Sequence, residues 1–112
     1  MQKKPTFRMS PCVAHHTKDW KQSAHFYKDV MGLDVCEKDS HLEIKNDPIL
    51  MYVQPNPGVE GMVMEYVVED VELAKNYLLS HGCEIIKWEG KGKDCYMKDP
   101  FGFTFNLWEE KK

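Results

Sequence analysis

A short segment near the middle of the chain, Gln54-Pro55-Asn56-Pro57-Gly58, separates two halves that have the same pattern. Its two prolines exclude a helix and remove backbone donors, so the segment is predicted to be a linker. On each side of it, a β-prone stretch is followed by a helical apolar stripe that ends at a glycine, and then by three short extended stretches. A repeated order of this kind predicts an internal duplication.

A shift of 50 residues aligns positions with the same predicted structural role: Asp19 with Glu69, Ala24 with Ala74, Tyr27 with Tyr77, Gly32 with Gly82, Asp34 with Glu84, and Val35 with Ile85. In the first half, Asp19 has the position of an N-cap and Gly32 that of a left-handed residue after the last helical turn. In the second half, Asp70 and Gly82 have these positions. Both helices are therefore predicted to begin at an aspartate and end before a glycine.

The chain has 112 residues, which suits one domain with a single core, and its 42% hydrophobic and 29% charged content is typical of a globular protein. We expect a single domain over residues 1–112, with module one over about 7–54, a linker over 55–60 and module two over about 61–110. The cysteines are scattered without a Cys-x-x-Cys pair, which favours reduced thiols.

The charge and hydropathy patterns exclude several classes of partner. The net charge is −3 and no helix carries a cluster of basic residues, so nucleic acid is not an expected partner. No stretch is apolar enough to span a bilayer, and the basic N-terminal residues precede no apolar run, so neither membrane insertion nor export is expected. The sequence therefore predicts a cytoplasmic protein.

Three segments together resemble the vicinal-oxygen-chelate superfamily, which includes glyoxalases, bleomycin resistance proteins and extradiol dioxygenases. They are residues 16–33, with the Phe-Tyr-x-x-x-x-Gly-Leu signature; residues 67–82; and residues 99–107, which begin with Asp-Pro-Phe-Gly. The last motif is also a typical turn between antiparallel strands. The resemblance implies an α+β fold, in which two tandem βαβββ modules form a curled antiparallel sheet around a cavity, with the helices outside.

Metal-dependent members of this superfamily carry ligands on the first and last strands of each module. Aligned by the family's spacing, these positions are Cys12, Met51, Val63 and Asn106, and the middle two are uncertain by about one residue. Such a set has no imidazole and no carboxylate, so it is a poor site for a hard divalent ion. We therefore expect no metal and no cofactor.

His16 and Glu65 are the alternative candidates for catalytic or metal-binding side chains. Strand alternation puts His16 on the same face as Cys12, and Glu65 on the same face as Val63. Together they would form an acid/base couple or one end of a shifted metal site. The simpler interpretation is that both are partly solvated strand residues near the end of a sheet.

The last strand alternates polar and apolar residues. Phe103, Phe105 and Leu107 are predicted to face a helix, which leaves Thr104, Asn106 and Trp108 for the cavity. An indole and an amide suit a planar organic ligand, although Trp108 would equally suit the bottom of the core or a dimer contact. Cys12, Met51 and Val63 complete the predicted ligand-binding set. The sequence does not fix the strand register here, so either Met51 or Tyr52 faces inward. Cys12 also fits a buried hydrophobe.

Two functions remain from this reasoning. The first is a small-molecule-binding protein of the glyoxalase/bleomycin-resistance type, which binds an aromatic or hydrophobic ligand without metal. The second is a lyase or isomerase of the same superfamily that uses His16 and Glu65, as acid and base or in a divalent metal site. The expected partners are the ligand and a second copy of the chain, because a half-open sheet has edges to cover.

Overall fold

In the computed structural model, which describes residues 4–110, the chain has an α+β fold. Within this range, the elements in chain order are β1 (Arg8–His16), α1 (Trp20–His25), a π-helical segment (Phe26–Val30), β2 (Asp34–Glu37), β3 (Leu42–Asn46), β4 (Ile49–Gln54), β5 (Gly61–Val68), α2 (Val71–Leu79), β6 (Glu84–Trp88), β7 (Cys95–Lys98) and β8 (Thr104–Glu109). A strand, a helical stretch and three strands thus follow one another twice.

The chain divides into two compact units. The first unit comprises residues 11–63, and the second comprises residues 4–10 together with residues 64–110. The divisions fall after Ser10, inside β1, and after Val63, inside β5. The predicted module boundaries, 7–54 and 61–110, follow the order of the elements and stay a prediction.

Each unit contains four paired strands in mixed orientation. The first has the order β2-β3-β4-β1, with antiparallel β2/β3 and β3/β4 pairs and a parallel β1/β4 pair. The second has the order β5-β8-β7-β6, with antiparallel β6/β7 and β7/β8 pairs and a parallel β5/β8 pair. The expectation of a purely antiparallel sheet is therefore wrong. A helical crossover returns the chain to the same end, and two hairpins then leave the last strand parallel to the first.

The core of the first unit lies between its strands and the α1 region. Ala24 of α1 is buried with Leu42, Ile44 and Val53 from β3 and β4. Alternate residues of the strands point to this side, as expected for strands with one face against a helix. Met51 packs against the same cluster.

The core of the second unit lies between α2 and its strands. Val71 and Ala74 of α2 are buried in one cluster with Met97, Phe105 and Leu107. The prediction that Phe105 and Leu107 face a helix is confirmed. Phe103 was grouped with them, but it precedes β8 and its side chain is 38% exposed.

The two helices begin differently. Asp70 caps α2, since its side-chain oxygen accepts a hydrogen bond from the backbone N–H of Leu73 at 3.1 Å. Asp19 makes no such bond at α1, so the predicted side-chain cap there is wrong. Its backbone N–H instead donates to the Thr17 hydroxyl at 3.1 Å.

The ends of the helical stretches also differ. The predicted single helix up to Gly32 is α-helical only to His25, after which the turns widen and the N–H of Met31 donates to the carbonyl of Phe26 at 3.0 Å. Gly32 and Gly82 have positive φ angles of 75° and 98°, which confirms the predicted left-handed residues after both helical stretches.

Candidate functional site

The second unit carries a row of polar side chains on the side of its strands that faces away from α2. Glu65 of β5 lies opposite Asn106 of β8, and Asn106 lies opposite Tyr96 of β7. Because side chains alternate along a strand, these three share one face, while their neighbours Phe105 and Leu107 pack toward α2. We call the group of Ser10, Glu65, Asp94, Tyr96, Asn106 and Trp108 the polar face of the second unit.

Glu65 is the ionisable centre of the polar face. Burial raises the pKa of its carboxyl above the ordinary value of 4.5, and the negative charge of Asp94 raises it further. Hydrogen bonds to the carboxylate from the Ser10 and Asn106 side chains act in the opposite direction. The net direction is upward, so Glu65 is a weaker acid than an exposed glutamate.

Asn106 is a buried polar group of this row, with 7% of its surface exposed. Its amide N–H donates to Glu65, whereas its side-chain oxygen Oδ1 has no hydrogen-bond partner within residues 4–110. Buried polar atoms in folded proteins are almost always paired, because an unpaired one loses its hydration without compensation. A donor for this buried carbonyl oxygen therefore comes from outside the described residues, from a water molecule or from a ligand.

A groove of about 400 Å³ lies at one end of the polar face. It is lined by Glu89, Gly92, Lys93, Asp94, Trp108 and Glu109. Trp108 is 41% exposed. Thr104, which the sequence also predicts on the cavity side of β8, lies at the other end of the strand. It is half-buried and lies opposite Lys98.

In the first unit, His16 is 2% exposed and its Nδ1 lies 2.6 Å from the Val59 carbonyl oxygen. Since a carbonyl only accepts, Nδ1 carries the hydrogen. Glu65 belongs to the second unit and is bonded to Ser10 and Asn106. An acid/base couple of His16 and Glu65 stays a prediction.

The strand register resolves the uncertainty between Met51 and Tyr52. Met51 packs with the helix-facing cluster, so it lies on the opposite side of β4 from the one that the alignment assumed. Tyr52 pairs with Ala14 and shares the side of Cys12, which pairs with Leu50. Cys12 is half-buried and Val63 is 3% exposed.

The residues at the predicted ligand positions do not fit a divalent metal. Of these, Cys12 and Asn106 carry a donor atom on the expected side, while Met51 packs in the core and Val63 has no donor. In the part of the chain that the structure describes, no three His, Cys, Asp or Glu side chains come together in a way that could hold an ion. No step is therefore assigned to a metal.

Sequence reasoning missed three members of the polar face. Tyr96 could have been found, because it alternates with Cys95 and Met97 on β7, and both of these are fully buried in the α2 side of the unit. Ser10 and Asp94 gave no such signal. Ser10 precedes a proline, and Asp94 lies just before β7 in a segment rich in charged residues.

Comparison with known proteins identifies the fold. The chain aligns over 94% of its length with the whole of a glyoxalase/bleomycin resistance protein/dioxygenase superfamily member from Vibrio splendidus 12B01, at a TM-score of 0.60 and 18% identity. It aligns over 96% with 96% of a hypothetical protein from Bacillus halodurans C-125, at a TM-score of 0.67 and 10% identity. The chain thus has the vicinal-oxygen-chelate fold, as the sequence resemblance predicted.

A third similar structure is a dioxygenase. The H200Q variant of homoprotocatechuate 2,3-dioxygenase from B. fuscum matches 99% of this chain at a TM-score of 0.66 and 22% identity, but the chain spans only 34% of that enzyme. No family model matches the sequence, and no curated protein does. Within residues 4–110, no helix combines the length and the apolar character needed to cross a membrane.

Proposed function

We propose that the chain is a small-molecule-binding protein of the glyoxalase/bleomycin-resistance type, which binds an aromatic or hydrophobic ligand without metal. The observation that carries the proposal is the unpaired, buried Oδ1 of Asn106 beside the half-buried Glu65. A ligand with one N–H or O–H donor would pair this oxygen. Its flat part would contact the exposed portion of Trp108.

The proposal includes several predictions from sequence. They are two tandem modules around a ligand cavity, a cytoplasmic location, a homodimer, and ligand contacts from Cys12, Val63 and Thr104. Tyr52 takes the place of Met51 in this set, because Met51 packs in the core of the first unit.

The test is a titration with small aromatic probes, followed by two-dimensional ¹H–¹⁵N NMR in EDTA. Phenol and indole have a donor for Asn106, whereas anisole has none. We expect phenol and indole to shift the side-chain amide signal of Asn106 and the indole signal of Trp108. Asn106→Ala should weaken this binding by about tenfold, the usual effect of one lost hydrogen bond in a buried site.

Asn76→Ala is the matched control, because Asn76 is an exposed asparagine on α2. It should leave both titrations unchanged. Binding that appears only after addition of Zn²⁺ or Mn²⁺, or binding that Asn106→Ala does not weaken, would contradict the proposal.

The second candidate is a lyase or isomerase that uses His16 and Glu65. The raised pKa of Glu65 favours it, because a carboxylate of this kind is a stronger base than an exposed one. It predicts that hydroxyacetone in D₂O exchanges its acidic C–H hydrogens faster with the protein than with Glu65→Gln. Equal exchange with the two proteins would exclude this activity.

A further inference from the structure

The turn between β7 and β8 presents a phenylalanine to solvent. Phe101 is 92% exposed, more than any other large hydrophobic side chain among the described residues. The turn is held by Asp99, whose side-chain oxygen Oδ1 accepts hydrogen bonds from the backbone N–H groups of Phe101 and Phe103, each at 2.9 Å. A phenyl group on a fixed backbone, with only two side-chain torsions, loses little entropy when a partner covers it.

An aromatic pocket of about 300 Å³ lies in the same unit, beside the base of this turn. It is lined by Phe7, Tyr66, Leu78, Cys83, Asp99 and Phe105. Asp99 is thus both a wall of the pocket and the acceptor that holds the turn. The exposed ring of Phe101 and the pocket are therefore neighbours at one end of the second unit.

The pocket suits a phenyl ring in shape and in chemistry. The rings of Tyr66 and Phe105 lie 5.1 Å apart, edge to face, and Phe7 packs against Tyr66 in the same way at 6.4 Å. A further ring would extend this cluster by the contacts that aromatic side chains prefer, and its positive edge would suit the Asp99 carboxylate. A cavity of about 150 Å³ already holds benzene in a protein core, so the volume is sufficient.

We propose that this end of the second unit is a contact surface between two copies of the chain, in which Phe101 of each copy inserts into the aromatic pocket of the other. Because the ring and the pocket lie side by side, a single two-fold axis satisfies both, and the assembly closes as a dimer. Two inserted rings bury less than a standard interface, so the dimer is weak. This inference rests on the expected homodimer and is independent of the ligand proposed for Asn106.

Sedimentation velocity from about 10 µM to about 1 mM measures the association. We expect a monomer–dimer equilibrium with a dissociation constant on the order of 100 µM. Phe101→Ala removes both inserted rings and should weaken the dimer by about a hundredfold, which leaves the protein largely monomeric over this range. Phe26→Ala is the matched control, at a phenylalanine of the first unit that is 53% exposed, and it should leave the association unchanged.

Alkylation of Cys83 shows whether a partner fills the pocket, because this thiol is part of its lining. The rate of its reaction with N-ethylmaleimide, followed by peptide mass spectrometry, should be about fivefold lower at about 1 mM protein than in dilute solution, since about a fifth of the chains would remain monomeric. In Phe101→Ala the rate should be nearly the same at both concentrations. Cys36 is exposed and serves as the internal control.

The outcomes separate this inference from the proposed function. A protein that stays monomeric, a dimer that Phe101→Ala leaves intact, or a Cys83 reactivity that does not depend on concentration would each overturn the inference. Assemblies that keep growing with concentration would contradict the two-fold arrangement. Protection of Cys83 by toluene in a monomeric protein would make the pocket a site for small apolar molecules instead. Phe101→Ala should leave the phenol titration at Asn106 unchanged, so the binding function is tested separately.

Discussion

Glu65 and Asn106 lie opposite each other on the parallel strands β5 and β8, and the amide of Asn106 donates a hydrogen bond to the Glu65 carboxylate. Two polar side chains are thus held together on the side of the strands that faces away from α2. Asn106 keeps one acceptor unpaired among the described residues, which few buried polar groups do.

The pKa of Glu65 depends on its hydrogen bond with Asn106 and on the nearby charge of Asp94. Asn106→Ala should raise the pKa of Glu65 further, because it removes a donor to the carboxylate. Asp94→Asn should lower it, because it removes a neighbouring negative charge. Side-chain ¹³C NMR of Glu65 between pH 3 and 8 measures both shifts, and opposite directions would contradict the assignment of the polar face.

The raised pKa of Glu65 determines how its contribution to the free energy of unfolding changes with pH. A carboxyl whose pKa is raised on folding binds more protons in the folded state, so its contribution is most favourable below the ordinary value of 4.5 and is lost as the pH rises through the folded pKa. Glu65→Gln should therefore be more stabilising, or less destabilising, at pH 8 than at pH 4. Urea unfolding at the two values of pH measures this difference.

The two aspartates at the helix starts form a matched pair for the capping energy. Asp70→Ala should lower the free energy of unfolding by about 1 kcal/mol, because the Leu73 N–H loses its acceptor. Asp19→Ala removes no side-chain cap and should change it by less than about 0.5 kcal/mol. Equal losses in urea unfolding would show that the caps are wrongly assigned.

The glycines after the helical stretches form a second pair. Gly32→Ala meets nothing within 4 Å and should cost about 1 kcal/mol through its positive φ angle alone. Gly82→Ala has the same strain, and its Cβ would also lie 3.2 Å from Cγ of Pro100, so the loss should be larger by up to about 1 kcal/mol. Urea midpoints of the two variants give the comparison, and a larger loss for Gly32→Ala would count against this packing.

Cysteine labelling tests the core of the second unit. Burial raises the pKa of the Cys95 thiol to about 11, so at pH 8 only about a thousandth of it is thiolate. Cys36 is exposed. Iodoacetamide at pH 8 should modify Cys36 quickly and Cys95 only in denaturant, as measured by peptide mass spectrometry. Labelling of both at the same rate in the folded protein would be inconsistent with the buried position of Cys95.

Much of the fold follows from local chemistry that the sequence displays. The Asp70 cap, the two left-handed glycines and the helix-facing side of β8 each depend on a few neighbouring residues. The widened turns after His25 and the missing cap at Asp19 depend on how the helical stretch meets its unit, which periodicity does not encode.

The candidate site was less predictable. Asn106 and Trp108 could be placed because β8 alternates regularly. Met51 was misplaced because a shift of one residue moves a side chain to the other face of a strand, and β4 is apolar on both faces. Asp94 lies next to Trp108 only through the pairing of β7 with β8, a long-range contact with no local signature.

Native mass spectrometry of protein purified without chelator, and then exposed to equimolar Zn²⁺, Ni²⁺ and Mn²⁺, tests the central claim most directly. The account predicts the mass of the chain or its dimer, with or without an organic ligand, and no stoichiometric metal. One metal ion per chain, removed by EDTA and absent from Glu65→Gln, would contradict it.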